Sequence, residues 1–73
     1  MPKLNSKYII ARNGKDIAYK ILVVEFNDIT TYSFKVGEYK GNDIYRDITK
    51  DEYNHILNLA NEKGYFIYEK KAK

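Results

Sequence analysis

The sequence contains no cysteine and no tryptophan, and only one histidine and one proline. Without cysteine the chain can form no disulfide, use no thiol nucleophile and hold no cysteine-ligated zinc. Acid–base chemistry by a histidine has a single candidate, His55. These absences point away from catalysis and toward a binding role.

A long hydrophobic run is also missing. The longest, Ile21–Val24, is far shorter than the roughly 20 apolar residues that cross a membrane. Residues 1–6 lack the apolar segment of a secretory signal. We therefore expect a soluble, cytoplasmic protein with no membrane partner.

Positive charge is concentrated near the two ends of the chain. The formal net charge is +3, yet residues 8–69 carry eight basic and ten acidic side chains. The remaining lysines are Lys3, Lys7, Lys70, Lys71 and Lys73. This distribution predicts no broad phosphate-binding surface on the body of the protein. We expect an N-terminal extension at 1–6, a single domain at 7–69 and a basic C-terminal tail at 70–73.

What the chain does have is eight tyrosines in 73 residues. A tyrosine ring packs into a core while its hydroxyl makes a polar contact, which suits binding surfaces. Lysine outnumbers arginine 11 to 2, and lysine, asparagine, isoleucine and tyrosine supply 35 residues. Codons rich in A and T encode all four, so the small size and this composition suggest a phage or mobile-element product.

Two turns organise the first half of the chain. Asn13-Gly14 between apolar runs predicts a type I′ hairpin joining strands at about 7–12 and 15–26. A second two-residue turn is expected at Asn27-Asp28, before a third strand. Side chains alternate along strands, so both turns together predict one apolar sheet face. Its members would be Tyr8, Ile10, Ile17, Tyr19, Ile21, Val23, Tyr32, Phe34 and Val36.

The second half predicts a helix between two short strands. A third turn is expected at 37–41 and a fourth strand at 43–48. Thr49 and Glu52 have the spacing of a capping box, and Gly64 is a natural helix stop. The predicted helix, 50–63, carries an apolar stripe of Tyr53, Ile56, Leu57 and Ala60, and 65–68 would form a fifth strand.

The fold class expected from these elements is α+β. A small antiparallel sheet of four to five strands, in the order β-β-β-β-α-β along the chain, would have one helix packed across one face. The spatial order of the strands, and the position of the fifth, do not follow from the sequence.

The second sheet face carries an apolar patch, Leu22, Val24, Phe26 and Ile29. Apolar surface of this kind usually marks an interface, unless strand five or residues 1–6 fold over it. The occupant would be a protein partner or a second copy in a homodimer. The leading hypothesis is a non-catalytic protein-interaction module, with Lys20 and Lys35 selecting an acidic rim. A phage-borne gene would make it an inhibitor or modulator of a host enzyme or defence nuclease in the host cytoplasm.

Nucleic acid is the alternative partner. The predicted register sets Lys7, Lys20 and Lys35 side by side across three strands, and Lys70 and Lys71 of the tail could add phosphate contacts. The aromatic side chains that could stack on bases are predicted on the buried face, which argues against an RNA-binding sheet.

No catalytic residue, metal site or cofactor site is predicted. Asp51 and His55 are spaced to interact on the helix, but no second catalytic group accompanies them. A loose acidic run straddles a strand and a helix start, so its oxygens would not converge on a metal ion. Its members are Asp43, Asp47, Asp51 and Glu52.

Overall fold

A computed structural model describes residues 4–37 and 45–71. The elements are β1 (Leu4–Asn13), β2 (Asp16–Phe26), β3 (Ile29–Val36), β4 (Arg46–Ile48), α1 (Lys50–Glu62) and β5 (Phe66–Lys71). The strands form one antiparallel sheet in the order β4-β3-β2-β1-β5. This arrangement confirms the predicted α+β class, with one helix packed on a five-stranded sheet.

The helix begins and ends where its capping residues predict. The Thr49 hydroxyl accepts a hydrogen bond from the Glu52 amide at 3.1 Å, and the Glu52 carboxylate accepts one from the Thr49 amide at 3.2 Å. At the other end Gly64 has φ +77°, and the amide of Tyr65 reaches back to the Ala60 carbonyl. Both termini therefore satisfy backbone groups that a helix leaves without partners.

The capping box gives a direct test of local stability. We expect Thr49→Ala to lower the free energy of unfolding by about 1 kcal/mol, because the Glu52 amide loses its acceptor. Urea unfolding measures the change, and Thr49→Ser, which keeps the hydroxyl, should restore most of it. Equal stability of the alanine and serine variants would contradict a role for this cap.

The β2–β3 hairpin has the predicted register. Val23 pairs with Tyr32, Ile21 with Phe34, and Tyr19 with Val36. Asn27 and Asp28 have φ of 50° and 65°, the positive values that a type I′ turn requires at both central positions. The turn at 27–28 therefore fixes which side chains of these two strands share a face.

The predicted β1–β2 register is wrong. The turn residues are Gly14 and Lys15, since Asn13 pairs with Asp16, and a bulge follows between Ala11 and Arg12. One extra residue in a strand pair reverses the alternation of side chains beyond it. As a result Ile9, and not Tyr8 or Ile10, stands opposite Ile21 on the helix side of the sheet.

The core lies between α1 and this side of the sheet, which we call the helix face. Ile21 is the most buried large side chain, at 1 % exposed, and Ile9 is 4 % exposed. The cluster consists of Ile9, Ile21, Val23, Ile48 and Ile56, with Tyr19, Tyr32, Phe34, Tyr53, Leu57 and Ile67 packed around it. Tyr53 stacks on Tyr32 with ring centroids 4.6 Å apart. Val36, predicted on this face, is exposed.

The strands at both ends of the chain are longer than predicted. β1 begins at Leu4, so residues 4–6 belong to the sheet, and β5 extends through Lys70 and Lys71. β5 pairs with β1, which makes the last strand an edge of the sheet beside the first. The predicted third turn, apart from Gly37, and the start of the predicted fourth strand lie outside the described residues.

Candidate functional site on the outer face

The sheet side opposite α1, which we call the outer face, has a row of exposed apolar side chains at one end. Leu4, Phe26 and Ile29 stand directly opposite one another on β1, β2 and β3. They are 65 %, 44 % and 66 % exposed. Three large apolar side chains in register across three strands form one contiguous surface rather than scattered exposed residues.

Leu22 and Val24 continue this surface along β2. Both are half-buried and alternate with Phe26 on the same face. We call Leu4, Leu22, Val24, Phe26 and Ile29 the apolar end. The predicted patch residues are thus brought together, with Leu4 added by the register of β1.

The segments that were considered as a cover for the patch lie elsewhere. β5 pairs with residues 7–12 of β1, and residues 4–6 are part of β1 itself. Within residues 4–37 and 45–71, neither segment therefore folds across the apolar end.

The predicted lysine row is only partly formed. Lys20 and Lys35 are directly opposite on the outer face, as expected. Lys7 pairs with Val23, so it lies on the helix face, and the three-lysine row is wrong. The bulge in the β1–β2 pair is the cause, because it reverses the alternation of β1 relative to β2.

The two remaining lysines differ from the predicted pair of exposed cations. Lys35 is buried, at 7 % exposed. The Lys20 ammonium lies 4.5 Å from the ring centroid of Tyr8, a cation–π contact that fixes its position. Lys20 therefore presents a positioned charge beside the apolar end, and Lys35 presents little surface.

Aromatic and basic side chains gather over the rest of the outer face, on β5 and the neighbouring parts of β1 and β2. Phe66 stands opposite Arg12, Tyr68 opposite Ile10, and Lys70 opposite Tyr8. The rings of Phe66 and Tyr68 have centroids 5.6 Å apart and planes 29° apart. We call Tyr8, Arg12, Lys20, Phe66, Tyr68 and Lys70 the aromatic–cationic patch.

The helix face has a cleft beyond the core, with a volume of about 450 Å³. Its lining includes Lys7, Glu25, Glu69 and Lys71. The Lys7 ammonium donates to the Glu69 carboxylate at 3.1 Å, and this hydrogen bond is the main reason that the pKa of Lys7 is raised. The charged side chains give the cleft a lining of mixed sign.

The Lys7–Glu69 pair predicts a small alkaline effect. Because the pKa of Lys7 is higher in the folded than in the unfolded state, the pair stabilises the fold below pH 10.5 and is lost as pH rises through the folded value. Both side chains are substantially exposed, so we expect at most about 1 kcal/mol. The free energy of unfolding of the protein and of Glu69→Gln is measured by urea unfolding across this pH range. The difference between the two isolates the contribution of the Lys7–Glu69 pair. Parallel profiles for the two proteins up to pH 12 would contradict it.

The residues that were considered for metal binding or acid–base chemistry do not come together in the described part of the chain. Within 4–37 and 45–71, no three His, Asp or Glu side chains are grouped to hold a metal ion. His55 and Asp51 are exposed on α1, and Asp43 lies outside the described residues. Across that same part of the chain, no helix has the length and apolarity needed to cross a membrane.

Sequence reasoning missed Leu4, Tyr8, Arg12, Phe66 and Tyr68 as outer-face residues. The alternation of Phe66, Tyr68 and Lys70 is visible in the sequence, but their face depends on where β5 pairs. The face on which Leu4 and Tyr8 lie depends on the bulge between β1 and β2, and no residue in the sequence predicts that bulge.

Comparisons of this chain with protein-family models, with curated proteins and with solved structures found no match.

Proposed function

We propose that this chain is a non-catalytic protein-interaction module that binds its partner through the apolar end of the outer face. The observation that carries the proposal is the exposed row of Leu4, Phe26 and Ile29. Leaving such a row in water forfeits roughly 25 cal/mol for each Å² of apolar area that a partner could bury. Surfaces of this kind on small proteins usually mark an interface.

The hairpin that presents the row supports the proposal as well. The Asn27-Asp28 turn holds Phe26 and Ile29 directly opposite each other, on strands that continue into the core through Ile21 and Val23. A surface fixed in this way loses little conformational entropy when a partner binds.

Charge favours a partner with an acidic rim over a second copy of the chain. Lys20 and Lys70 lie on the outer face, as does Arg12, whereas Asp47 on β4 is opposite Ser33 at the far edge. Two copies packed face to face would bring basic patches together, which costs free energy. A partner surface with an apolar centre and a border of carboxylates would be complementary to both the apolar end and the basic side chains.

A narrower role is part of the same proposal. Small size and A/T-rich composition suggest a phage or mobile-element gene, and the partner would then be a host enzyme or defence nuclease in the host cytoplasm. That identification rests on composition alone and stays a prediction.

The test is capture of the partner by tagged protein from source-cell lysate, with and without nuclease, beside the Phe26→Asp variant. We expect a stoichiometric protein that survives nuclease and is absent from the variant. Sedimentation of the purified protein over a range of concentrations distinguishes self-association. A concentration-dependent dimer that Phe26→Asp dissociates would replace the heterologous partner with a second copy.

A further inference from the structure

We infer that the outer face holds a second site, for single-stranded polynucleotide, at the aromatic–cationic patch. This site places Phe66 and Tyr68 toward the opposite end of the face from the row of Leu4, Phe26 and Ile29, and its Tyr8 stands opposite Leu22 of the apolar end. It differs from the lysine row expected from the sequence, because its stacking surface comes from β5 and its cations come from three strands.

Stacking capacity is the first requirement, and β5 supplies it. Phe66 is 68 % exposed, and its ring lies 5.6 Å from that of the half-buried Tyr68. Aromatic rings on a sheet surface stack on successive bases, with little dependence on sequence because every base has a π-face. Two adjacent rings on alternate positions of one strand can therefore receive neighbouring bases.

The cations are placed around these rings. Arg12 stands opposite Phe66; its guanidinium donates to the Lys15 carbonyl at 2.8 Å and makes a long contact of 3.5 Å with the Tyr68 hydroxyl. Lys70 follows Tyr68 on the same face and is exposed. Lys20, fixed over Tyr8, lies across β1 from Tyr68. Three positive charges thus flank the rings, where the backbone of a stacked strand carries its phosphates.

The combination favours a single strand over a duplex or an acidic protein. In a duplex the bases are stacked on one another, so exposed rings contribute little and the phosphates alone would bind. An acidic peptide would meet the cations but has no extended series of π-faces for Phe66 and Tyr68. A polynucleotide with unpaired bases can stack its bases on the aromatic rings and place its phosphates against the cations.

The experiment is fluorescence anisotropy of purified protein with labelled oligothymidylate and oligouridylate of about 12 nucleotides, a length within the usual site size. We expect binding of the single strands to exceed binding of a duplex of equal length. With three cations engaged, the slope of log K against log salt should be about −2. DNA and RNA arms show which polynucleotide is preferred, and either preference supports the site.

Two matched pairs of variants locate the site. Phe66→Ala should weaken single-strand binding by about tenfold or more, while Phe26→Ala, the same change at the apolar end, should leave it unchanged. Lys70→Gln should reduce the salt slope by about 0.7, whereas Lys71→Gln should not, because Lys71 lies on the helix face of the same strand. Thermal unfolding of each variant checks that the fold is kept.

Several outcomes would overturn the inference. These are no binding at low salt, equal binding of duplex and single strand, or equal losses in the Phe66 and Phe26 variants. A further outcome is that polyglutamate displaces the labelled oligonucleotide as effectively as unlabelled oligonucleotide does, while Phe66→Ala binds the oligonucleotide normally. That combination would assign the patch to an acidic protein. Because the partner-binding test uses Phe26 and this one uses Phe66, either proposal can fail without the other.

Discussion

Replacing Ile9 by alanine is expected to lower the free energy of unfolding by about 2–5 kcal/mol. Ile9 is 4 % exposed and packs with Ile21 in the core beneath α1. The substitution removes buried methyl groups and leaves a cavity that the neighbouring side chains fill only in part. A domain of this length has a total stability of roughly 4–11 kcal/mol, so the loss is a large fraction of the total and should clearly lower the unfolding midpoint in urea.

The matched control is Ile29→Ala, which makes the same change at a side chain that is 66 % exposed on the outer face. We expect its unfolding midpoint in urea to shift little, by the equivalent of about 0.5 kcal/mol. The comparison also tests the bulge, because simple alternation from an Asn13-Gly14 turn would place Ile9 on the outer face. If both variants lose the same small amount of unfolding free energy, β1 pairs with β2 without the bulge and Ile9 lies on the outer face.

Replacing Phe26 by aspartate is expected to abolish partner binding with little effect on the fold. Phe26 is the central residue of the exposed row between Leu4 and Ile29, and central aromatic residues commonly dominate an interface. Loss of the ring and introduction of a carboxylate facing an acidic rim should weaken binding by more than about 30-fold, or 2 kcal/mol. The stability cost should stay near 1 kcal/mol, since the side chain is 44 % exposed.

The control compares Phe26→Ala with Phe66→Ala, the same truncation on the same face, which adds no carboxylate opposite Arg12. Phe66→Ala should keep protein-partner binding, measured by titration calorimetry once the captured partner is in hand. A thermal midpoint that falls steeply for Phe26→Asp would place Phe26 in the core. Equal losses of partner binding in both alanine variants would extend the interface over the whole outer face.

Much of the fold follows from short-range chemistry that can be recognised in the sequence. The capping box of Thr49 and Glu52 and the stop at Gly64 define α1 almost to the residue. The Asn27-Asp28 turn defines the β2–β3 register, because two residues with positive φ leave one way to pair the flanking strands. The same turn brings Phe26 and Ile29 together, so the centre of the candidate site was also predictable.

The register of β1 could not be predicted, for a physical reason. β1 and β2 have apolar residues at consecutive positions, Ile9-Ile10 and Ile21–Val24, so registers that turn opposite sides of β1 toward the core both bury a plausible set. The bulge chooses between them, and with it the faces of Lys7 and Tyr8. Local composition contains no preference strong enough to make that choice.

The sequence by itself determined that this chain is a small α+β domain without cysteine chemistry, with a capped helix and an apolar patch around Phe26. Tertiary structure decided the rest: the pairing of β5 with β1, the removal of Lys7 from the lysine row, and the patch of Phe66, Tyr68 and Arg12. Turns and caps are fixed by contacts between residues a few positions apart. Strand order and facing depend on contacts between distant residues, whose free energies are settled only when the whole core packs.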